Sequence, residues 1–313
     1  MENQSNISNH DDLIKQIKLV QSGAVREGLR LNIPQIDEHY RFKHTNFNVI
    51  LGHANVGKTT VILYLMLLYS VKHGLKWLVY SSENEAYKLA RKLIEYLSVE
   101  PMNKINNTLL NKNSQFIKNH FKFIDNQSLY TFKDLIDLGT NMKKHWDYDG
   151  FLIDPYNSLD KDNEDLRNLN GHEYDYKACS HFRLFCQQNK VSVWLNTHAN
   201  TEALRRKHHT NHPYAEHPIP PMASDVEGGG KFVNRADDFM VIHRYIQHPT
   251  DWMYSHLHIR KVKDVDTGGR PTSIDAPIRM RSIKNNVGFE IDGHNPLADD
   301  NNKKDSTHKE LPF

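Results

Sequence analysis

The sequence has almost no cysteine: Cys179 and Cys186 are the only two in 313 residues. Their spacing puts them about two helical turns apart, too far to bridge, which excludes a disulfide framework and marks both as reduced, half-buried core residues. Long apolar runs are missing too. No stretch approaches the roughly 18 residues of a membrane span, and Met1 to Asp12 is polar, without the apolar segment of a secretory signal. The expectation is a cytoplasmic protein with no membrane partner. Nor does one sign of charge dominate, since 40 Lys and Arg against 38 Asp and Glu leave a formal net charge of +2. That balance alone defines no nucleic-acid partner, although 20 histidines and several local basic clusters keep one open. No repeat is visible. With 38% hydrophobic residues, the chain can bury one substantial core.

The stretch Phe47-Asn48-Val49-Ile50-Leu51-Gly52-His53-Ala54-Asn55-Val56-Gly57-Lys58-Thr59-Thr60 organises that core. An apolar run stops at Gly52, a short loop follows, and Gly57-Lys58-Thr59 opens the almost wholly apolar segment Val61 to Val71. This reads as strand, phosphate loop and buried helix. The pattern Gly-x4-Gly-Lys-Thr presents backbone N–H groups to the α and β phosphates of a nucleotide, a lysine to the β and γ phosphates and a threonine hydroxyl to Mg²⁺. Gly52, Asn55, Val56, Gly57, Lys58, Thr59 and Thr60 are the expected ATP-binding residues. Gly52 and Gly57 are expected to let the backbone approach the phosphates closely.

Other motifs follow in alternating β/α order. Asp11 to Gln21 has Leu13, Ile17 and Val20 at helical spacing, an amphipathic helix that packs either on its own domain or on a neighbouring subunit. Trp77 to Tyr80 is a strand that delivers Ser81-Ser82-Glu83-Asn84-Glu85 to its end. A carboxylate there can polarise the water that attacks a γ-phosphate, with Glu83 the candidate and Glu85 the helix-capping alternative. Gly150 to Asp154 is an apolar strand ending in a carboxylate, the form of a Walker B segment, so Thr59 and Asp154 are the expected Mg²⁺ residues. Residues 101–120 have only a weak pattern, and 160–170 reads as a polar loop. Val191 to Leu195 is a strand that runs into Asn196-Thr197-His198, where His198 can sense the γ-phosphate. The long segment 201–230 carries Arg205, Arg206, Lys207 and then Gly229 and Lys231, and reads as a mobile basic loop that contacts phosphates. His208, His212 and His217 allow a zinc reading, but no cysteine or flanking ordered element supports it. Strands at 238–244, 252–263 and 278–291 are expected at the sheet edge, with Gly268-Gly269 as a turn. Alternation along Arg260-Lys261-Val262-Lys263 places Arg260 and Val262 on one face and the two lysines on the other.

Assembled in this order, the motifs over roughly Arg26 to Ile291 resemble the ATPase domain of the DnaB-like replicative helicases, especially the primase-helicase and Twinkle branch of phages and mitochondria. The resemblance implies an α/β, RecA-like fold with a mostly parallel sheet flanked by helices and antiparallel edge strands near the C-terminus. It places the catalytic glutamate at Glu83, the Walker B aspartate at Asp154 and the phosphate sensor at His198. Asp225-Val226-Glu227-Gly228-Gly229-Gly230 matches the neighbourhood of the family's DNA-binding loop. The family's Lys-x-Arg strand, which reaches the next subunit's ATP, falls on Lys261-Val262-Lys263, so Lys263 stands where the arginine is expected and Arg260 is the alternative. The implied partners are single-stranded DNA, identical subunits in a hexameric ring, and a separate primase or loader, since no primase or sizeable N-terminal domain is present. If the chain is phage-encoded, its location is the host cytoplasm. The expected organisation is a disordered 1–10, a linker helix at 11–25, an ATPase domain at 26–293 and a polar tail at 294–313. The rival functions are a RecA-fold recombination accessory protein that binds DNA under ATP control without unwinding it, and a regulatory ATPase with no DNA partner.

Overall fold

The computed structural model describes residues 9–22 and 27–298, apart from the side chain of Gln16. Residues 1–8 of the expected disordered 1–10, residues 23–25 of the expected linker helix at 11–25, residue 26, and residues 299–313 of the expected tail at 294–313 lie outside the described residues. Helix α1 (His10–Gln21) starts at Asn9, whose side chain accepts from the Asp11 N–H at 2.9 Å. Its Leu13, Ile17 and Val20 are exposed. A single turn, α2 (Pro34–Asp37), precedes β1 (Phe47–Gly52), and α3 (Lys58–His73) follows. Then come β2 (Trp77–Ser81), α4 (Ala86–Ser98), α5 (Asn107–His120), β3 (Phe121–Phe123), α6 (Phe132–His145) and β4 (Gly150–Asp154). The chain continues through α7 (Asn163–Asn168), α8 (Gly171–Asn189), β5 (Ser192–His198), α9 (Lys231–Arg235), β6 (Asp238–His243) and β7 (Tyr254–Val262), and ends with α10 (Val265–Gly268), β8 (Ile278–Ser282) and β9 (Phe289–Ile291).

The described strands form one sheet in the order β3-β2-β4-β5-β1-β6-β7-β8-β9, parallel as far as β6 and antiparallel beyond it. β1 lies between β5 and β6 and is buried at every position, which is why its sequence is apolar rather than alternating, broken only by Asn48, whose amide donates to the Ser192 hydroxyl at 2.8 Å. One face of the sheet packs on α3 and α4, where Trp77 and Trp194 meet edge to face at 5.5 Å. The other face packs on α6, α8 and α9 through Phe47, Phe151 and Phe182. Gly74 ends α3 in the left-handed conformation, as a helix C-terminus favours. Cys179 and Cys186 are free and fully buried on α8 rather than half-buried. No described helix is long and apolar enough to cross a membrane.

Four local expectations change. Residues 107–120 form α5, capped by the Asn106 side chain at 2.9 Å, yet its only buried residues are Asn113 and Ile117, so little apolar periodicity announced it. The polar stretch 160–170 contains α7, capped by Asp162. The Gly268-Gly269 pair closes no hairpin; the carbonyls of Thr267 and Gly268 accept from the Gly28 and Arg41 N–H groups at 2.8 and 2.9 Å and brace the segment before β1. The fourth change is a β-bulge. Phe239 pairs with Lys261 and Met240 with Ile259, so Arg260 is the extra residue. Alternation therefore breaks: Val262 joins Ile259 in the apolar cluster on the α3 side, while Arg260 borders a cavity with His256 and His258.

Three histidines sit buried side by side on β6 and β7. Burial, reinforced by neighbouring imidazoles or arginines, holds His243 at about 3, His256 at about 4 and His258 at about 2, against an ordinary 6.5. A depressed folded pKa means that the unfolded chain binds protons first, so the stability of the neutral state is complete above about pH 6.5 and is lost as pH falls. Each imidazole contributes at most about 1.4 kcal/mol per pH unit to that slope. The urea midpoint is expected to drop between pH 6.5 and 4, and His258→Leu should make the drop shallower. An unchanged slope in His258→Leu would contradict this.

Candidate nucleotide-binding site

The loop from β1 to α3 takes positive φ at Asn55 (62°) and Gly57 (84°), which turns successive N–H groups toward one concavity. Gly57 has open space around it and needs glycine for its φ. Gly52 needs glycine for a different reason from the expected one: a Cβ there would lie 2.6 Å from the Ile242 carbonyl oxygen and 3.0 Å from the Lys58 side chain. Val56 is buried and anchors the loop, while Asn55, Gly57, Lys58, Thr59 and Thr60 line a cavity of about 470 Å³. The Lys58 ammonium donates to the carbonyls of Gly52 and His53 at 3.1 and 3.0 Å and stands 3.3 Å from His198 Nδ1. Burial lowers its pKa, opposed by the Asp154 and Glu83 carboxylates.

Asp154 ends β4 at 2% exposure. Its carboxylate accepts from the Asn196 amide at 2.6 Å, the Thr59 hydroxyl at 2.7 Å and the Ser81 hydroxyl at 3.3 Å. Burial raises its pKa, while the Asn196 and Thr59 hydrogen bonds pull it back down. Thr59 and Asp154 supply hard oxygen atoms within hydrogen-bonding distance of each other, a donor set that fits Mg²⁺ with water in its remaining positions.

Across the cavity, Glu83 Oε1 lies 3.6 Å from His198 Nε2. Burial and the Lys58 charge lower the His198 pKa, against the pull of Glu83. Glu85 takes no part in lining the cavity; it is the N-cap residue of α4, makes no side-chain cap hydrogen bond, and pairs with Lys88 at 2.9 Å. Sequence reasoning missed Asn196, Ser81 and Asn157. Asn157 Oδ1 accepts from the Thr197 hydroxyl and the His198 N–H, both at 2.9 Å, and its amide donates to Glu227 at 3.0 Å. The available signal was a polar residue at the end of an otherwise apolar strand. Lys88, Arg91 and Lys92 of α4 also border the cavity.

The remaining predicted residues lie elsewhere. Neither Arg260 nor Lys263 lines the cavity; Lys263 pairs with Asp237 at 3.1 Å, and Lys261 donates to the Val233 and Ala236 carbonyls at 2.8 and 2.7 Å. In the 201–230 segment Arg206 pairs with Asp225, Lys207 with Glu216 at 3.7 Å and Arg205 with Glu202 at 3.1 Å. Gly229 has positive φ just before α9, which begins with Lys231. His208 and His212 stack ring on ring at 3.9 Å, and no described group of three or more His, Cys, Asp or Glu residues is placed to hold a metal.

The glycine loop after β1, Asp154 at the end of β4 and the Glu83–His198 pair gather at the C-terminal edge of this sheet, the arrangement of a RecA-like fold. Solved structures agree. One of them, an isolated ATPase domain, superposes with a TM-score of 0.70 at 16% identity, over 91% of this chain and 99% of that one. A DnaB-like replicative helicase, solved for its interactions with primase, gives 0.66 at 15% identity, over 91% of this chain and 67% of that one. The chain therefore has the fold of DnaB-like helicase ATPase domains. No protein-family model and no curated protein matches the sequence.

The node at Asp154 is testable without nucleotide. Asn196→Ala removes the 2.6 Å donor from a buried carboxylate and is expected to cost about 1–3 kcal/mol at pH 7. The cost should shrink as pH falls from 7 to 5, because loss of the Asn196 donor raises the Asp154 pKa further. Urea titrations at both pH values measure it, and a cost that does not change with pH would contradict a charge-based role.

Proposed function

We propose that this chain is an ATP-driven motor of the DnaB-like helicase type, which assembles as a hexameric ring, hydrolyses ATP at subunit interfaces and translocates on single-stranded DNA. The observation that carries the proposal is the convergence of Lys58, Thr59, Asp154, Glu83 and His198 on one cavity of a RecA-like sheet. In this reading, phosphate oxygens replace the Gly52 and His53 carbonyls as partners of the Lys58 ammonium, and the loop N–H groups hold the α and β phosphates. Thr59 and Asp154 hold Mg²⁺, which when bound neutralises phosphate charge. Glu83, exposed at the cavity rim, accepts the proton of the attacking water. His198, linked to Glu83 on one ring nitrogen and close to Lys58 on the other, registers loss of the γ-phosphate.

The exposed apolar stripe of α1 fits docking on a neighbouring subunit, which would bring that neighbour's Lys263 or Arg260 toward this γ-phosphate. Lysine offers only a point charge where arginine presents a planar fork. Arg205 and Lys231 track the DNA backbone, with Arg206, Lys207 and Gly229 beside them. A separate primase or loader and a cytoplasmic setting complete this reading.

Lys58→Ala is expected to abolish nearly all ATP hydrolysis and to weaken nucleotide binding. Glu83→Gln should bind ATP normally but turn it over about a hundredfold more slowly, whereas Glu85→Gln stays close to wild type. Rates measured with saturating ATP check this, and the reverse order for the two glutamates would reassign the base. Arg205→Ala and Lys231→Ala should each weaken single-stranded DNA binding at every sequence and lower the salt slope by about one. An unaltered slope would remove the segment from the DNA path. If ATP-gated DNA binding occurs without forked-duplex unwinding, the accessory reading replaces the motor.

A further inference from the structure

A second cavity, of about 850 Å³, lies between the segment at 208–223, the β6–β7 wall and residues 271–279, and shares no lining residue with the nucleotide site. That volume lies within the range of small-molecule sites. One wall is a set of parallel rings: Tyr214 and Tyr245 stack at 3.8 Å with a 12° interplanar angle, and His208 and His212 at 3.9 Å with 8°. Such a wall extends easily by one more planar ring.

The floor holds polar groups that the protein leaves unsatisfied. His258 borders the cavity at 2% exposure, and neither of its ring nitrogens has a described hydrogen-bond partner. His256, also 2% exposed and bordering the cavity, has an unpartnered Nε2. An orphaned buried imidazole lowers stability, so its presence beside a cavity points to a ligand that completes it. Burial keeps both rings neutral, and a neutral imidazole offers one donor and one acceptor. Arg260 follows His256 and His258 by the strand's period of two, is half-buried and makes no ion pair with a described residue, the Asp275 carboxylate on the same cavity being the charge that acts on it. Arg279 borders the cavity as well but is already paired with Asp251 at 3.1 Å.

Stacking surface, an unsatisfied donor–acceptor floor and one unpaired guanidinium together match a single chemistry. We propose that this cavity is a nucleobase site, in which a planar heterocycle stacks on Tyr214, its polar edge is read by His256 and His258, and its attached phosphate meets Arg260. The base comes either from a bound single strand or from a free nucleotide. The cavity shares no lining residue with the nucleotide site and is assayed by binding with hydrolysis blocked, so it stands or fails apart from the motor reading; Arg260, which that reading also offers as the trans cation, is not varied in the test.

The test uses the full chain with Mg²⁺ and inorganic tripolyphosphate, which carries no base, saturating the phosphate loop. Saturation-transfer NMR then reads the base protons of dTMP, dAMP, oligo(dT) and oligo(dA). Transfer to the base protons of at least one probe is expected. His258→Leu should weaken that binding about tenfold or more while leaving the melting temperature unchanged or raised, because an apolar isostere removes an unsatisfied group. Tyr214→Leu should weaken binding similarly, and Lys58→Ala should not. Signal from oligonucleotides alone assigns the site to a strand, and competition by mononucleotides assigns it to free nucleotide; either supports the proposal. Absence of transfer from all four probes, or wild-type binding by both His258→Leu and Tyr214→Leu, overturns it.

Discussion

A carboxylate buried at the end of a strand is the constraint on which the rest of this structure depends. At 2% exposure Asp154 is tenable only with donors on every side, and its three donors come from three other elements: Ser81 at the end of β2, Asn196 on β5 and Thr59 in the first turn of α3. That demands that β2 and β5 flank β4 in parallel, with their C-terminal ends level. The register satisfies this, with Ser81 beside Asp154 and Leu195 beside Ile153. It also demands that the phosphate loop cross the sheet edge at that height, which β1 achieves by pairing Gly52 with His198. Strand order and site are one arrangement.

The electrostatics follow from the same crowding. Lys58 loses solvation and gains the fields of Asp154 and Glu83; Asp154 loses solvation and gains neutral donors; His198 is held between an ammonium and a carboxylate. A polyanion with a divalent cation entering the cavity would answer each of these charges. The groups are already in place and need little rearrangement, which is how preorganised polar sites act on phosphates.

Much of this was legible because the parallel strands read as largely apolar runs with polar residues gathered at their ends. Phe47 to Leu51, Trp77 to Tyr80 and Gly150 to Asp154 announced β1, β2 and β4 together with the polar residues at their ends. What stayed hidden was set by contacts between distant segments. Asn196 looked like the polar start of a loop until β5 was placed beside β4. Helix α5 hid because it buries only Asn113 and Ile117. Arg260 and Val262 were set on one face by a period of two, and a single bulge opposite Phe239 and Met240 moved Val262 to the other. The histidines of 208–217 read as charge or metal ligands, whereas packing stacks two of them and sets Tyr214 against Tyr245.

The central claim is that hydrolysis belongs to the interface between two copies of the chain, with Glu83 on one side and the Lys263 or Arg260 cation on the other. Mixing Lys263→Ala with Glu83→Gln tests it most directly, because a mixed assembly contains some interfaces in which both groups are intact. Each variant alone should be nearly inactive, and a shared site restores ATP turnover on mixing, with a maximum near equal proportions. Full activity of Lys263→Ala alone, together with the same result for Arg260→Ala, would contradict a site shared between subunits.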